Sequence, residues 1–293
     1  MEKVKIIFIV NPISGSKRKA NIPALINKLI DKNLYDHQII FTDYAGQGSE
    51  IATLAIVNNV DTIVAVGGDG TVNEIGKVLI GSSVNLGIIP AGSGNGLARH
   101  MGIPMDTAKA IELFNNRKII RIDAGQINEK PFFCTAGVGF DAHIGNIFLT
   151  KVTRGLKGYI TSTIKEFFSY IPEVYTVKFN EKVIKQQAFL VTFANASQYG
   201  NNAYIAPNAK IDDQYLDVCI LNKFPLYAGP GIGMRIFAKN IDRSSYLNSW
   251  KVKSVSLERV SPGVIHLDGE PIQMGKLLKV NCIPSCLNVV VRK

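Results

Sequence analysis

Between residues 5 and 90, short β-branched apolar runs alternate with stretches whose apolar residues recur at helical spacing, and that alternation leaves few folds open. KIIFIV (5–10) stops at Asn11-Pro12 and reads as a buried strand. NIPALINKLIDK (21–32) sets Ile22, Leu25, Ile26, Leu29 and Ile30 on one helical repeat. HQIIFT (37–42) is strand-like, EIATLAIVNN (50–59) helical and DTIVAVGG (61–68) strand-like. TVNEIGKVLIG (71–81) is helical again, and VNLGIIPAG (84–92) is a strand. Helices between successive strands require parallel crossovers, so this half is an α/β sheet with its ligands at the carboxyl ends of the strands.

Near residue 121 the rhythm changes. After one helical stretch (about 145–170) the runs YTVKFN, AFLVTFAN, YLDVCIL, SVSLERV, GVIHLDG, KLLKVNC and LNVVVRK are strand-like and separated by turn residues. They predict an antiparallel β domain. The expected division is 1–122 for the α/β domain and 123–285 for the β-rich one.

At 293 residues the chain has room for two such domains. Its formal charge of +10 favours an anionic partner: a nucleotide, a nucleic acid or an anionic membrane surface. Nucleic acid is disfavoured, because no basic stripe with interleaved stacking aromatics exists. Cys134, Cys219, Cys282 and Cys286 form no C-x-x-C pair and read as neutral thiols in a reducing compartment. The apolar run in MEKVKIIFIVNP is short for a signal peptide, and no run reaches the roughly 18 residues of a spanning helix. A cytoplasmic protein that touches a membrane from outside is expected.

Five clusters carry chemistry. NPISGSKRK (11–19) closes the first strand with backbone donors at Ser14 and Gly15 and positive charge at Lys17–Lys19, although an ordinary polar turn has the same composition. VGGDGTVNE (66–74) places Gly67, Gly68 and Gly70 around Asp69, just before a helix, where N–H dipoles meet phosphate. No G-x-x-x-x-G-K-[ST] is present, so this is not a Walker-type loop. GIIPAGSGNGLARH (87–100) repeats the strand-to-helix corner with Ser93, Asn95 and Gly96. In AKIDDQYLD (209–217), Asp212 and Asp213 suit either a hard cation or a hairpin turn. In HLDGEP (266–271), Asp268 and Glu270 flank a glycine. As part of a strand they share one face and could serve as base and orienting group; as a D-G hairpin they are a turn.

Together NPISG, Thr42, GGDGTVNE, PAGSGN, DDQYLD and LDGEP resemble the diacylglycerol kinase catalytic family, the soluble bacterial lipid kinases related to sphingosine and ceramide kinases. The resemblance runs over almost the full length. It implies an N-terminal nucleotide-binding domain like that of NAD kinases and a C-terminal antiparallel β-sandwich, with residues 286–293 returning to the first domain. It implies that Asn11, Pro12, Ile13, Ser14, Gly15, Thr42, Gly68, Asp69, Gly70, Thr71, Val72, Asn73, Glu74 and Ser93 bind ATP. It also implies that Asp213 holds a structural Mg²⁺ with the carbonyls of Lys210 and Tyr215, and that Glu270 is the base beside Asp268, with Asp69 completing the catalytic set. Three positions depart from the commonest bacterial pattern. Ser93 and Asn95-Gly96 stand where that pattern has Thr and an Asn-Asp pair, closer to the sphingosine-kinase branch, and Gln214 stands where the metal turn has Gly.

The expected reaction moves the γ-phosphoryl group of ATP to a lipid alcohol, most simply diacylglycerol, in phospholipid biosynthesis; a sphingoid base or ceramide is the alternative acceptor. An NAD kinase would share GGDGT, and a catalytically silent nucleotide-binding regulator would keep the loops. As a landing surface, Lys151, Arg154, Lys157 and Lys165 fall in one sector if 150–168 is helical, beside a stripe of Ile160, Ile164, Phe167 and Phe168. At about 1 kcal/mol per basic residue near an anionic leaflet, four give about 4 kcal/mol of recruitment. A solvated basic face over a core stripe would look the same. Oligomeric state stays open, a homodimer included.

Overall fold

In the computed structural model, residues 3–14, 21–150 and 166–293 are described, with side chains described to 147 in the helix that ends at Thr150. The chain forms two compact units, Met1–Asp123 with Pro284–Lys293, and Ala124–Ile283. Gly15, the Lys17–Lys19 run and the basic sector at 151–165 lie outside the described residues.

The first unit is built on β1 (Val4–Val10), α1 (Ile22–Leu29), β2 (Tyr35–Phe41), α2 (Gln47–Val57), β3 (Thr62–Gly67), α3 (Asp69–Leu79), β4 (Asn85–Pro90), α4 (Gly96–His100) and α5 (Thr107–Glu112). Its strands are parallel in the order β2-β1-β3-β4. Asn288 and Val289 extend the sheet by pairing in parallel with Asn85 and Leu86. Every residue of β3 is buried, as a strand covered on both faces requires, and its near-continuous apolar sequence has that cause. α3 buries Val72, Ile75 and Leu79 along one stripe.

This topology puts the polar loops in a row. The residues that leave β1, β2 and β4 are each tied to a neighbouring strand end: Asn11 N–H to Val66 O at 3.1 Å, Thr42 N–H to Val10 O at 3.0 Å and Ala91 N–H to Gly67 O at 2.8 Å. The carboxyl edge of the sheet, where parallel α/β proteins bind ligands, therefore carries the NPIS, GGDGT and PAGSGN loops side by side.

The second unit comprises β5 (Arg117–Ile127, entering from the first unit), β6 (Lys130–Phe132), β7 (Thr135–Gly139), α6 (Phe140–Thr150), β8 (Glu173–Phe179), β9 (Lys182–Ala194), β10 (Gln198–Gly200), β11 (Ala203–Tyr204) and β12 (Leu216–Asn222). It continues through α7 (Gly229–Phe237), β13 (Leu247–Val252), β14 (Ser254–Arg259), β15 (Gly263–Leu267), β16 (Glu270–Met274) and the start of β17 (Leu277–Arg292). Pairing here is antiparallel, in the order β16-β15-β7-β9-β8-β14-β17, with β12 between β9 and β13. Alternate residues of β12 enter two cores: Leu216, Val218 and Ile220 join one, Cys219 and Leu221 the other.

Candidate active site

Asn11 organises the first loop. Its Oδ1 accepts the N–H groups of Ile13 (3.0 Å) and Ser14 (3.3 Å), while its Nδ2 donates to Thr71 Oγ1 at 3.1 Å, which ties the loop to the first turn of α3. Ser14 Oγ donates to Asn11 O at 3.2 Å. Pro12 and Ile13 are exposed, and Thr42 is buried at the end of β2.

Packing alone demands glycines in the second loop and at its contact with the third. A Cβ at Gly67 would lie 2.3 Å from Thr71 Oγ1, and one at Gly92 would lie 2.4 Å from Gly68 Cα. The second and third loops touch backbone to backbone, which only glycine permits. Asp69 Oδ1 accepts the Gly96 N–H at 2.7 Å. The carboxylate that looks misplaced among phosphate-binding donors therefore holds the start of α4. Asn95, in the left-handed region at φ 53°, closes the third loop from inside: Gly92 N–H donates to its Oδ1 (3.0 Å) and its Nδ2 donates to Gly92 O (2.8 Å). Ser93 stands exposed at the tip.

Two residues of the expected ATP set have other commitments. The Val72 side chain is buried and its N–H bonds Gly68 O at 3.0 Å. Glu74 Oε1 accepts Ser49 N–H at 3.3 Å, and Ser49 Oγ donates to Glu74 O at 2.7 Å, so Glu74 caps the first turn of α2. Gly70 and Asn73 lie with Thr71 in the first turns of α3.

In the second unit, Leu267 pairs with Glu270 across a two-residue turn, Asp268-Gly269, with φ of 49° and 87°. Both angles are positive, as the twist of a tight hairpin demands. The strand reading of this stretch is thereby corrected: Asp268 occupies the turn and does not share a strand face with Glu270. Its carboxylate accepts three backbone N–H groups, from Phe133 (2.9 Å), Cys134 (2.7 Å) and Thr135 (3.1 Å). Asp268 pins the hairpin; Glu270, exposed at the head of β16, carries the other carboxylate.

One strand residue earlier, sequence reasoning missed a buried polar cluster. His266 Nε2 lies 3.0 Å from Asp141 Oδ2, which also accepts from Thr192 Oγ1 (3.2 Å) and Tyr199 OH (3.1 Å). Burial, and then the Asp141 charge, hold the Tyr199 phenol well above its ordinary range. The cluster joins β15, β9, β10 and α6. Its members are scattered from 141 to 266 and have no local motif.

At the expected metal turn the Asp213 carboxylate is engaged by donors of the protein itself. Asp213 Oδ1 accepts Tyr215 N–H at 3.1 Å, and its Oδ2 lies 2.8 Å from Lys251 Nζ, which also reaches Asp217 Oδ2 at 3.0 Å. The Lys251 ammonium bridges the two carboxylates. Burial lowers its affinity for the proton, but the bonds from Asp213 and Asp217 outweigh that and raise its pKa. Burial holds Asp217 above the usual carboxylate range despite the pull of Lys251. Among the described residues no group of three or more His, Cys, Asp or Glu is placed to hold a metal ion. Gln214 adopts φ 66°, the conformation Gly would take without strain.

Glycine loops at the carboxyl ends of parallel strands, beside the start of a helix, have the form of an anion-binding edge. Residues 5–127 match the diacylglycerol kinase catalytic domain, and residues 135–291 match the YegS C-terminal NAD kinase beta sandwich-like domain. The chain belongs to the lipid kinase family built from these two domains. It is 28% identical over 278 residues to a probable lipid kinase YegS-like of Klebsiella pneumoniae (strain 342), covering 92% of this chain and 91% of that one. It is also 28% identical to the diacylglycerol kinase of Bacillus subtilis (strain 168), covering 92% and 90%. A crystal structure of a putative diacylglycerol kinase from Bacillus anthracis str. Sterne superposes with a TM-score of 0.78 at 22% identity, covering 99% of this chain and 97% of that one, so the fold is shared.

Proposed function

We propose that the chain transfers the γ-phosphoryl group of ATP to the hydroxyl of diacylglycerol, giving phosphatidic acid, at the cytoplasmic face of a membrane. The observation that carries the reading is the row of loops at the carboxyl edge of the first sheet, locked together by the Asp69–Gly96 bond. Asn11–Gly15, Thr42, the Gly68–Thr71 helix start, Asn73 and Ser93 are assigned to ATP. Val72 and Glu74 support that loop from within, and Asp69 positions it. First-turn N–H groups of a helix have no intrahelical acceptor and attract phosphate oxygens.

Glu270 is assigned as the base. It takes the proton of the lipid hydroxyl as that oxygen attacks the γ-phosphorus and the bond to the ADP oxygen breaks. Mg²⁺ is assigned to the nucleotide, where it supplies charge neutralisation, and not to Asp213. Names of relatives support diacylglycerol as acceptor. Ser93 and Asn95-Gly96 favour a sphingoid base as the second reading.

Labelled ATP offered with dioleoylglycerol, sphingosine and NAD in separate reactions tests this. Label is expected in phosphatidic acid, and Glu270→Gln is expected to lower kcat about a hundredfold or more with unchanged Tm. Label only in sphingosine phosphate or NADP would move the acceptor. Full turnover in the Gln variant would remove Glu270 from the chemistry.

A further inference from the structure

Val218 to Ile241 contains no Asp or Glu and carries Lys223, Arg235 and Lys239. Within it, Leu226, Tyr227, Met234 and Phe237 are exposed, at 52%, 85%, 74% and 63%. α7 is apolar on both faces. Ile232 and Ile236 turn inward onto the core that holds Phe224 and Phe167. Pro230, Met234 and Phe237 recur at i, i+4 and i+7 on the opposite side and are open to solvent. Arg235 is the one charged residue of the helix, and a clustered apolar surface of this kind marks a contact site. The surface extends past α7: the Phe167 ring lies where a Cβ on Gly229 would come within 2.3 Å, and Phe168 and Ile171 beyond it are exposed.

We infer that the Leu226–Ala228 turn and the open face of α7 are the surface by which the second unit docks on an anionic lipid bilayer. The choice of occupant rests on the lipid kinase reading and on charge. Lys223 and Lys239 flank the apolar face at its two ends with no acidic residue between them, the arrangement that sets apolar side chains into the acyl boundary and ammonium groups at the headgroups. A second copy docked through the same face would set these lysines against their own kind. Of the 150–168 segment expected from sequence, only Phe168 joins this surface; residues 151–165 lie outside the described residues.

Vesicle sedimentation of the full chain tests the inference, using phosphatidylcholine alone and phosphatidylcholine with phosphatidylglycerol. Tyr227→Ser/Met234→Ser/Phe237→Ser is expected to bind both about tenfold or more weakly. Lys223→Ala/Lys239→Ala is expected to lose about thirtyfold on anionic vesicles only, at about 1 kcal/mol per lysine, together with much of the salt dependence. Tyr227→Ser alone, at a position 85% exposed, leaves the fold unburdened and should weaken binding measurably. Wild-type binding by all three variants overturns the inference. So does a triple variant that converts a dimer to a monomer in analytical ultracentrifugation while vesicle binding holds, since the surface then covers a second copy. Phosphorylation of short-chain, water-soluble dioctanoylglycerol should survive the triple variant, while that of vesicle-borne diacylglycerol falls about tenfold. If the wild type phosphorylates no diacylglycerol yet the triple variant loses vesicles, the acceptor assignment fails and the docking surface stands.

Discussion

The Asp69 carboxylate and the Gly96 N–H, 27 residues apart in sequence, meet at 2.7 Å and join two glycine loops into one. Asp69→Ala leaves that N–H without its acceptor. Losing a cap of this kind costs about 1 kcal/mol, or about 2–4 °C in Tm. We expect a raised KM for ATP and a kcat lower by about a hundredfold. Asp69→Asn keeps an acceptor oxygen, so its Tm should stay near wild type and its kcat loss should be less than about tenfold. Equal losses in the two variants would show that the charge, and not the hydrogen bond, is what the site uses.

Gly92→Ala tests the backbone contact between the same loops. Its Cβ would lie 2.4 Å from Gly68 Cα, so one loop must move. Overpacking of this kind costs about 1–3 kcal/mol, and the KM for ATP should rise about tenfold or more. Gly275→Ala, whose Cβ meets nothing within 4 Å, serves as the neutral control.

Asp268 and Glu270 should separate cleanly. Asp268→Ala strips three backbone N–H groups of their acceptor, and a stability loss of about 3 kcal/mol is expected in denaturant melts. Activity falls with it because the Glu270 hairpin loses its pin. Asp268→Asn retains acceptor capacity and should recover part of both. A stable, inactive Asp268→Ala protein would instead place Asp268 among the reacting groups.

Lys251 is expected to make the Asp213 turn independent of divalent cations. Adding Mg²⁺ or a chelator should leave the Tm of the nucleotide-free protein unchanged; a rise of several degrees with Mg²⁺ would return a cation to Asp213. Lys251→Met should cost about 1 kcal/mol, since the pair is partly solvated. The raised Lys251 pKa means this contribution is whole at neutral pH and is lost as pH climbs past the ordinary lysine value of 10.5. The Tm gap between wild type and Lys251→Met should therefore close in strongly alkaline buffer. Buried tyrosines weaken both proteins alike there and drop out of the difference.

Short-range pattern was enough to read much of this protein. Strand–helix alternation up to residue 90 dictates a parallel sheet, and NPIS, GGDGT and PAGSGN are legible because glycine loops of this kind are local and keep their glycines in fixed order. The D-G turn was legible too, although a period-of-two reading competed with it until both φ angles were seen to be positive. What only the tertiary structure decided were the partners of the charges. Asp69 found Gly96, Asp268 found three N–H groups at the entry to β7, Asp213 found a lysine 38 residues on, and His266 found Asp141, 125 residues away. A carboxylate looks the same in sequence whether it holds a metal, a proton or a backbone donor. The choice is made by whichever donor the fold brings within about 3 Å, because a buried charge must be satisfied by what lies beside it.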